Sequence, residues 1–382
     1  MQRYIIYWIE GDGIGPEIWQ AARPVIDRAA ENSGIKFDWI ELLAGEKALK
    51  QNGGALPQDT LEALKTASLA MKGPLGTPVG TGMRSLNVAL RKALDLYACI
   101  RPVTHIPGLS TPVKRPDLVN MTIFRENTED VYAGIEFPAH SPEAAKLAGF
   151  LQKELNTAEI PPGSAIGIKP VSEQGSKRLV RRAIKYALDN NMRSVTLMHK
   201  GNIMKFTEGG FRAWGYEVAK EEFEDFTCTE KDPIPGKLII KDRIADAMFQ
   251  EALLHPENYS VIATPNLNGD YISDALAAQV GGLGVAPGVN MSDSLAFFEA
   301  THGTAPGIAG QNKANPTSLV LCGAMMLEHI GKAEAARKIR KTVEKTILQG
   351  EVTEDLAGQV ENSKVIGCRE FGYKLEKILA AL

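Results

Sequence analysis

Residues 4–16 read Tyr-Ile-Ile-Tyr-Trp-Ile-Glu-Gly-Asp-Gly-Ile-Gly-Pro. The apolar run over 4–9 predicts a first buried strand, and the glycines that follow predict a tight turn. Residues 17–33 continue as an amphipathic helix, with Ile18, Ala22, Val25, Ile26 and Ala29 recurring at helical spacing. Strand, glycine turn and helix in that order is the signature of an α/β fold. The turn tempts a dinucleotide fingerprint, yet the third glycine, due at 16, is proline, and a bound phosphate would meet Asp12. A structural βα turn is the better reading.

The α/β rhythm extends along the chain. Strands are expected at 69–72, 195–198 and 261–263, and helices at 85–96, 176–190, 208–224, 245–254, 271–280 and 333–349. Between 130 and 172 the texture changes. Here 131–137 and 165–169 read as strands and 141–155 as a helix capped by Ser141 with Pro142 in its first turn, the whole resembling an inserted arm. The glycine-rich stretch 281–288 is the best candidate for a crossing between lobes.

Composition bounds the function. The 382 residues are 44% hydrophobic and 23% charged with a formal net charge of −3, which argues for a globular protein and against nucleic-acid or membrane binding. Cys99, Cys228, Cys322 and Cys368 are scattered without a C-x-x-C pair, so no zinc cluster is indicated and a reducing compartment fits. No stretch approaches the roughly twenty apolar residues of a membrane span, and the N-terminus turns acidic too soon for a signal peptide. The expected location is cytoplasmic.

Four groups of residues carry chemistry. Asp270 and Asp274 sit four apart near the start of an expected helix, so both carboxylates share one face, which suits Mg²⁺ or Mn²⁺; alone, such residues also serve as caps. Asp246 is a third ligand only if folding brings it near. Arg91, Arg101 and Arg125, with Ser85 and Asn87, would suit a small polyanion such as a tricarboxylate, although arginines also form surface ion pairs. The loop over 301–310 is rich in small residues that admit a ligand close to the backbone, and His302 can meet an adenine. Lys200, Asn202 and Tyr132 carry little weight as isolated residues, but a lysine or tyrosine can deliver the proton that completes a decarboxylation.

Seven motifs, in order, resemble one family over nearly the whole chain: Gly-Asp-Gly-Ile-Gly-Pro at 11–16, Lys-Gly-Pro-Leu at 72–75, Arg-Ser-Leu-Asn-Val-Ala-Leu-Arg at 84–91, Phe-Arg-Glu-Asn at 124–127, His-Lys-Gly-Asn-Ile-Met-Lys at 199–205, Asn-Leu-Asn-Gly-Asp-Tyr-Ile-Ser-Asp at 266–274 and Thr-His-Gly-Thr-Ala-Pro at 301–306. The chain is similar to the metal-dependent decarboxylating β-hydroxyacid dehydrogenases, the isocitrate/isopropylmalate dehydrogenase family, and within it to the isocitrate branch of bacterial type. The resemblance implies an α/β, non-Rossmann fold with a large domain (1–96 and 281–382), a small domain (97–129 and 173–280) and a clasp (130–172) that interlocks with a second copy. It implies oxidative decarboxylation of isocitrate to 2-oxoglutarate in the tricarboxylic acid cycle. Ser85, Asn87, Arg91, Arg101 and Arg125 would hold the substrate carboxylates, Asp270 and Asp274 of one chain with Asp246 of the other would hold the metal, and Tyr132, Lys200 and Asp246 would move protons. Lys200 and Asn202 would come from the partner of a homodimer.

The same resemblance puts the nicotinamide cofactor near Thr77, Asn202, Glu299, His302, Gly303, Thr304, Ala305, Gly307, Ile308, Asn315 and Glu354. NADP-linked relatives carry Lys-Tyr where this chain has Gly307 and Ile308, and Tyr and Arg where it has Glu354 and Gly358. The missing cations and the repulsion of a phosphate by Glu354 lead us to expect NAD rather than NADP. Rival readings are a dehydrogenase for homoisocitrate or another 3-substituted malate, a Mg²⁺-dependent phosphoryl-transfer enzyme, which lacks a P-loop here, and a binding protein without turnover.

Overall fold

The computed structural model describes residues 1–76 and 85–382. Eleven strands form one sheet in the order β2-β1-β3-β13-β12-β4-β5-β11-β8-β10-β9. These are β1 Gln2–Ile9, β2 Ile35–Glu41, β3 Leu69–Lys72, β4 Ala98–Thr104, β5 Asn120–Glu126, β8 Ser194–His199, β9 Thr227–Thr229, β10 Leu238–Ile244, β11 Val261–Thr264, β12 Pro287–Met291 and β13 Ala296–Ala300. Two small pairs stand apart, β6 Ile135–Phe137 with β7 Ile166–Ile168, and β14 Glu351–Val352 with β15 Lys364–Val365. Each flank of the large sheet is parallel, while β12 and β4 at its middle run antiparallel to both of their neighbours. Helices cover the sheet, as burial of parallel strands on both faces requires.

The opening motif folds as read. Strand β1 leads into the helix Gly15–Asn32, which buries Ile18, Ala22, Val25, Ile26 and Ala29. Trp8 and Trp19 stack with ring centroids 4.4 Å apart. Gly13 has φ +59, and a Cβ there would collide with the Thr304 carbonyl oxygen, so the turn packs directly against the 301–310 loop. The Asp12 carboxylate accepts from Glu46 N at 2.7 Å and Gly76 N at 2.8 Å. Its donors are therefore partners within the fold, as a structural turn requires.

Three expectations need correction. The segment 131–137 is not one strand: the turn Asp130–Ala133 is 3-10 helical, and positive φ at Asp130 (+68) and Gly134 (+68) breaks the extended backbone before β6 begins. The helix carrying the acidic pair starts at Asn266 rather than 271, so Asp270 lies more than a turn inside it. The expected helix 85–96 spans only Leu86–Ala93. The arm helix Pro142–Leu155 begins as read, with Ser141 Oγ accepting from Ala144 N at 3.1 Å. Gly281 and Gly282, at φ +131 and +96, lead from the acidic helix into β12.

Candidate active site

Register explains how the polar residues converge. Directly paired residues of adjacent strands share a face, and so do residues two apart along one strand. Cys99 on β4 pairs with Arg125 on β5 and with Asn290 on β12, and Lys72 at the end of β3 pairs with Glu299 on β13. Arg101 is two residues beyond Cys99. A row of charged and amide side chains therefore crosses the middle of the sheet on one face, where the strand directions reverse.

That row floors a cavity of about 270 Å³. Ser85, Asn87, Arg91, Arg101, Arg125, Tyr132, Asp270, Glu299, His302 and Gly303 all line it, so the structure unites the expected substrate residues with part of the expected metal and cofactor sets. Arg101 donates to Ser273 Oγ at 2.6 Å and Asp274 Oδ1 at 3.0 Å. Arg125 is 1% exposed, donates through Nε to Asn266 Oδ1 at 2.8 Å, pairs with Asp270, and lies 4.9 Å from the centroid of the Tyr132 ring. Burial, and then the like charges of Arg91 and Arg101, pull the Arg125 guanidinium below its ordinary pKa. An incoming polyanion relieves that repulsion.

The carboxylates behave differently from one another. Burial works against ionisation of Asp270, but Arg125, the Tyr132 hydroxyl at 2.7 Å, Arg101 and Arg91 outweigh it and hold the carboxyl below its usual range. The Tyr132 hydroxyl is pushed up to about 12, by burial first and then by its bond to Asp270. It stays protonated across neutral pH and can act as a proton donor. Glu299 would be pushed up by burial alone, yet Lys72 at 2.5 Å and Arg91 at 3.0 Å drive it well below the carboxylate range, with Asn290 Nδ2 donating at 2.6 Å. Asn127 in turn donates to Asn290 Oδ1 at 2.9 Å. Sequence reasoning did not single out Lys72, Asn290 or Asn127. Lys72 and Asn127 were within reach as members of quoted motifs, whereas nothing local marks Asn290.

Other expected residues lie elsewhere. Lys200, Asn202 and Asp246 do not line the cavity; Lys200 pairs with Asp246 on the exposed face formed by the turn after β8 and the helix Ala245–Leu254. Among the described residues no group of three or more His, Cys, Asp and Glu side chains is placed to hold a metal ion. One chain thus brings two hard oxygen donors, Asp270 and Asp274, on one helix face. Thr77 lies outside the described residues. In the 301–310 loop, Ala305 takes φ +40, Gln311 Nε2 donates to Gly307 O at 2.8 Å, and nothing lies within 4 Å of where a Cβ on Gly307 would sit. Asn315 donates to Asp355 at 3.0 Å, and Glu354 pairs with Lys313 at 3.2 Å. Of the buried polar atoms without a hydrogen-bond partner in the described residues, Asn87 Oδ1 and His302 Nε2 belong to residues that line the cavity. They fit a substrate and a cofactor respectively, because unpaired buried polar groups are costly. Burial lowers the pKa of His302, so its imidazole is neutral at pH 7.

Comparison with known proteins agrees with this geometry. The pattern of the family described as "Isocitrate/isopropylmalate dehydrogenase" matches residues 5–375. A protein of Archaeoglobus fulgidus named "Isocitrate dehydrogenase [NADP]" is 54% identical over 99% of this chain and 93% of its own length. One of the same name from Staphylococcus epidermidis is 53% identical over 98% and 95%. The crystal structure of isocitrate dehydrogenase from Methylococcus capsulatus superposes with a TM-score of 0.83 at 39% identity, covering 99% of both chains. The printed names of the first two carry NADP and so run against the NAD expected from residues 307, 308 and 354. Among the described residues no helix is long and apolar enough to cross a membrane. Fold, motif order and similarity along its length converge: the chain belongs to the isocitrate/isopropylmalate dehydrogenase family.

Proposed function

We propose that this protein oxidises and decarboxylates isocitrate to 2-oxoglutarate, reducing a nicotinamide dinucleotide, in a homodimer whose two sites are shared. The observation that carries this reading is the convergence of Arg91, Arg101 and Arg125 with Ser85 and Asn87 on one cavity that also presents Tyr132 and Asp270. Three guanidinium groups match three carboxylates in number and charge, and their planar forks bind carboxylates bidentately. Asp270 and Asp274, with Asp246 of the partner subunit, would hold Mg²⁺ or Mn²⁺, which when bound supplies a Lewis acid for the substrate oxygens.

The chain's own residues do the rest. The arginines orient the substrate and balance its charge as carbon dioxide leaves. The ion-paired Asp246 and Lys200 would take the hydroxyl proton between them, the carboxylate as acceptor and the ammonium beside it, and the Tyr132 hydroxyl would return one to carbon. Exposed apolar side chains stand on the elements that carry Lys200 and Asp246, including Ile203 (70% exposed) and Phe206 (91%) after Lys200 and Leu253 (51%) on the helix of Asp246. A patch of this kind marks a protein interface, which supports the dimer and the arrival of Lys200, Asn202 and Asp246 from the partner subunit. The large-domain, small-domain and clasp division given above is part of the same reading. The clasp segment has its own two-stranded sheet and helix.

For the acceptor, the names of the relatives make NADP the first reading. A specific observation favours NAD as the second: Glu354 is exposed and pairs with Lys313, and no arginine or lysine stands at 307, 308 or 358 to receive a 2′-phosphate. Turnover of isocitrate, homoisocitrate and isopropylmalate with Mn²⁺ and either dinucleotide tests both levels. Isocitrate-dependent reduction with carbon dioxide release, abolished by a chelator, is expected. Equal or faster turnover of another 3-substituted malate would refute the substrate assignment, and the NADP/NAD ratio of kcat/KM decides the acceptor.

A further inference from the structure

A buried ion triad lies apart from the cavity. Lys169, just after β7, places Nζ 2.6 Å from Asp130 Oδ1 and 2.9 Å from Glu208 Oε1. Asp130 is 1% exposed and Glu208 is fully buried, so one ammonium serves two carboxylates that water does not reach. Each carboxylate also holds backbone of a different functional segment. Asp130 accepts from Val131 N at 2.6 Å and Leu267 N at 3.1 Å, fixing both the turn that carries Tyr132 and the start of the helix that carries Asp270. Glu208 accepts from Lys200 N, fixing the turn that carries Lys200 and Asn202, and at 2.8 Å from Asn268 Nδ2 on the helix that carries Asp270.

We propose that Lys169 is a positioning residue that couples the two active sites of the dimer, because its ion triad sets at once the Tyr132/Asp270 half of one site and the Lys200/Asn202 turn that the same chain lends to the other. This rests on the shared-site reading given above. The physical cause is the lack of an alternative: without the ammonium, two desolvated carboxylates lose their common counter-charge, and the segments they hold must move to reach solvent or other donors. Of the three cavity arginines, Arg91 is anchored independently, by Glu299, whereas Arg101 and Arg125 bond to the helix whose start Asp130 holds. Loss of Lys169 is therefore expected to lower turnover more than substrate affinity, because Arg91 keeps its anchor while the proton-moving groups shift.

The test uses Lys169→Met, Lys169→Arg and a heterodimer of one wild-type and one Lys169→Met chain, isolated with two different affinity tags. Lys169→Met should lower kcat by about ten- to a hundredfold, the scale of a catalytic group misplaced by up to an ångström, with isocitrate affinity falling by a smaller factor. Lys169→Arg should restore most of the turnover. The heterodimer should fall well below half of wild-type turnover, since one altered chain touches both sites. Should Lys169→Met fail to fold, Asn268→Ala removes one bond to Glu208 without stranding a charge, and should lower kcat by about fivefold in the same heterodimer format. A heterodimer that keeps half its turnover overturns the coupling alone, and an unchanged kcat in the homodimer overturns the positioning role. An active protein that sediments as a monomer overturns the shared-site reading, and the coupling with it.

Discussion

Replacing Glu299 by Gln removes one charge and almost no volume from the floor of the cavity. The wild-type carboxylate is 6% exposed and pairs with Lys72 and Arg91, whose side chains are 4% and 12% exposed. Breaking a buried pair by neutralising one member costs about 3–5 kcal/mol, because the opposite charges stay behind in low dielectric. The Gln oxygen can still accept from Asn290, so the lower end applies best. For 382 residues the unfolding entropy is about 0.8 kcal/mol per kelvin, which converts the loss into a fall in Tm of about 4–6 °C. Circular dichroism melts at pH 7 measure it.

The pH dependence supplies a sharper check. The folded-state pKa of Glu299 is depressed, so on acidification the unfolded chain takes up the proton first, and this contribution is complete above the ordinary Glu pKa of about 4.3 and lost below it. The Tm gap between wild type and Glu299→Gln should be full at neutral pH and narrow as pH falls through the acid range. A Tm unchanged within about 1 °C at pH 7, or a gap that widens on acidification, would refute the argument.

Further outcomes follow from single contacts. Tyr132→Phe should lower kcat by about a hundredfold or more while leaving isocitrate affinity nearly intact, as steady-state kinetics with a binding isotherm will show. Gly307→Lys enters open space, and one charge-assisted hydrogen bond of about 1.5–3 kcal/mol to a 2′-phosphate should raise the NADP/NAD ratio of kcat/KM at least about tenfold; an unchanged ratio means that residue 307 does not face the ribose. Gly13→Ala forces a side chain onto a left-handed backbone and against the Thr304 carbonyl, so it should cost at least about 1–2 kcal/mol by denaturant titration and raise the dinucleotide KM more than the isocitrate KM.

The order of elements was legible where apolar side chains recur with one period, as in β1, the helix Gly15–Asn32 and the helix Ala245–Leu254. Residues 130–172 stood out by texture, and the cap at Ser141 was readable because capping is local chemistry. Strands β4, β5, β12 and β13 escaped pattern reading for a reason tied to function. Their buried face carries Arg101, Arg125, Asn290 and Glu299 in place of the apolar residues that mark a strand.

Residue identity and spacing picked out the arginines and the acidic pair four apart as candidates, and the resemblance of the motifs in order gave them and the tyrosine their expected roles. Only the tertiary structure decided how they are used. Arg125 meets Asp270 across 145 positions, Arg91 meets Glu299 across 208, and Lys200 stands away from the cavity whose chemistry it matches. Charge pairing at such separations depends on which strands lie side by side, and that is set by burial of the whole sheet rather than by any local pattern.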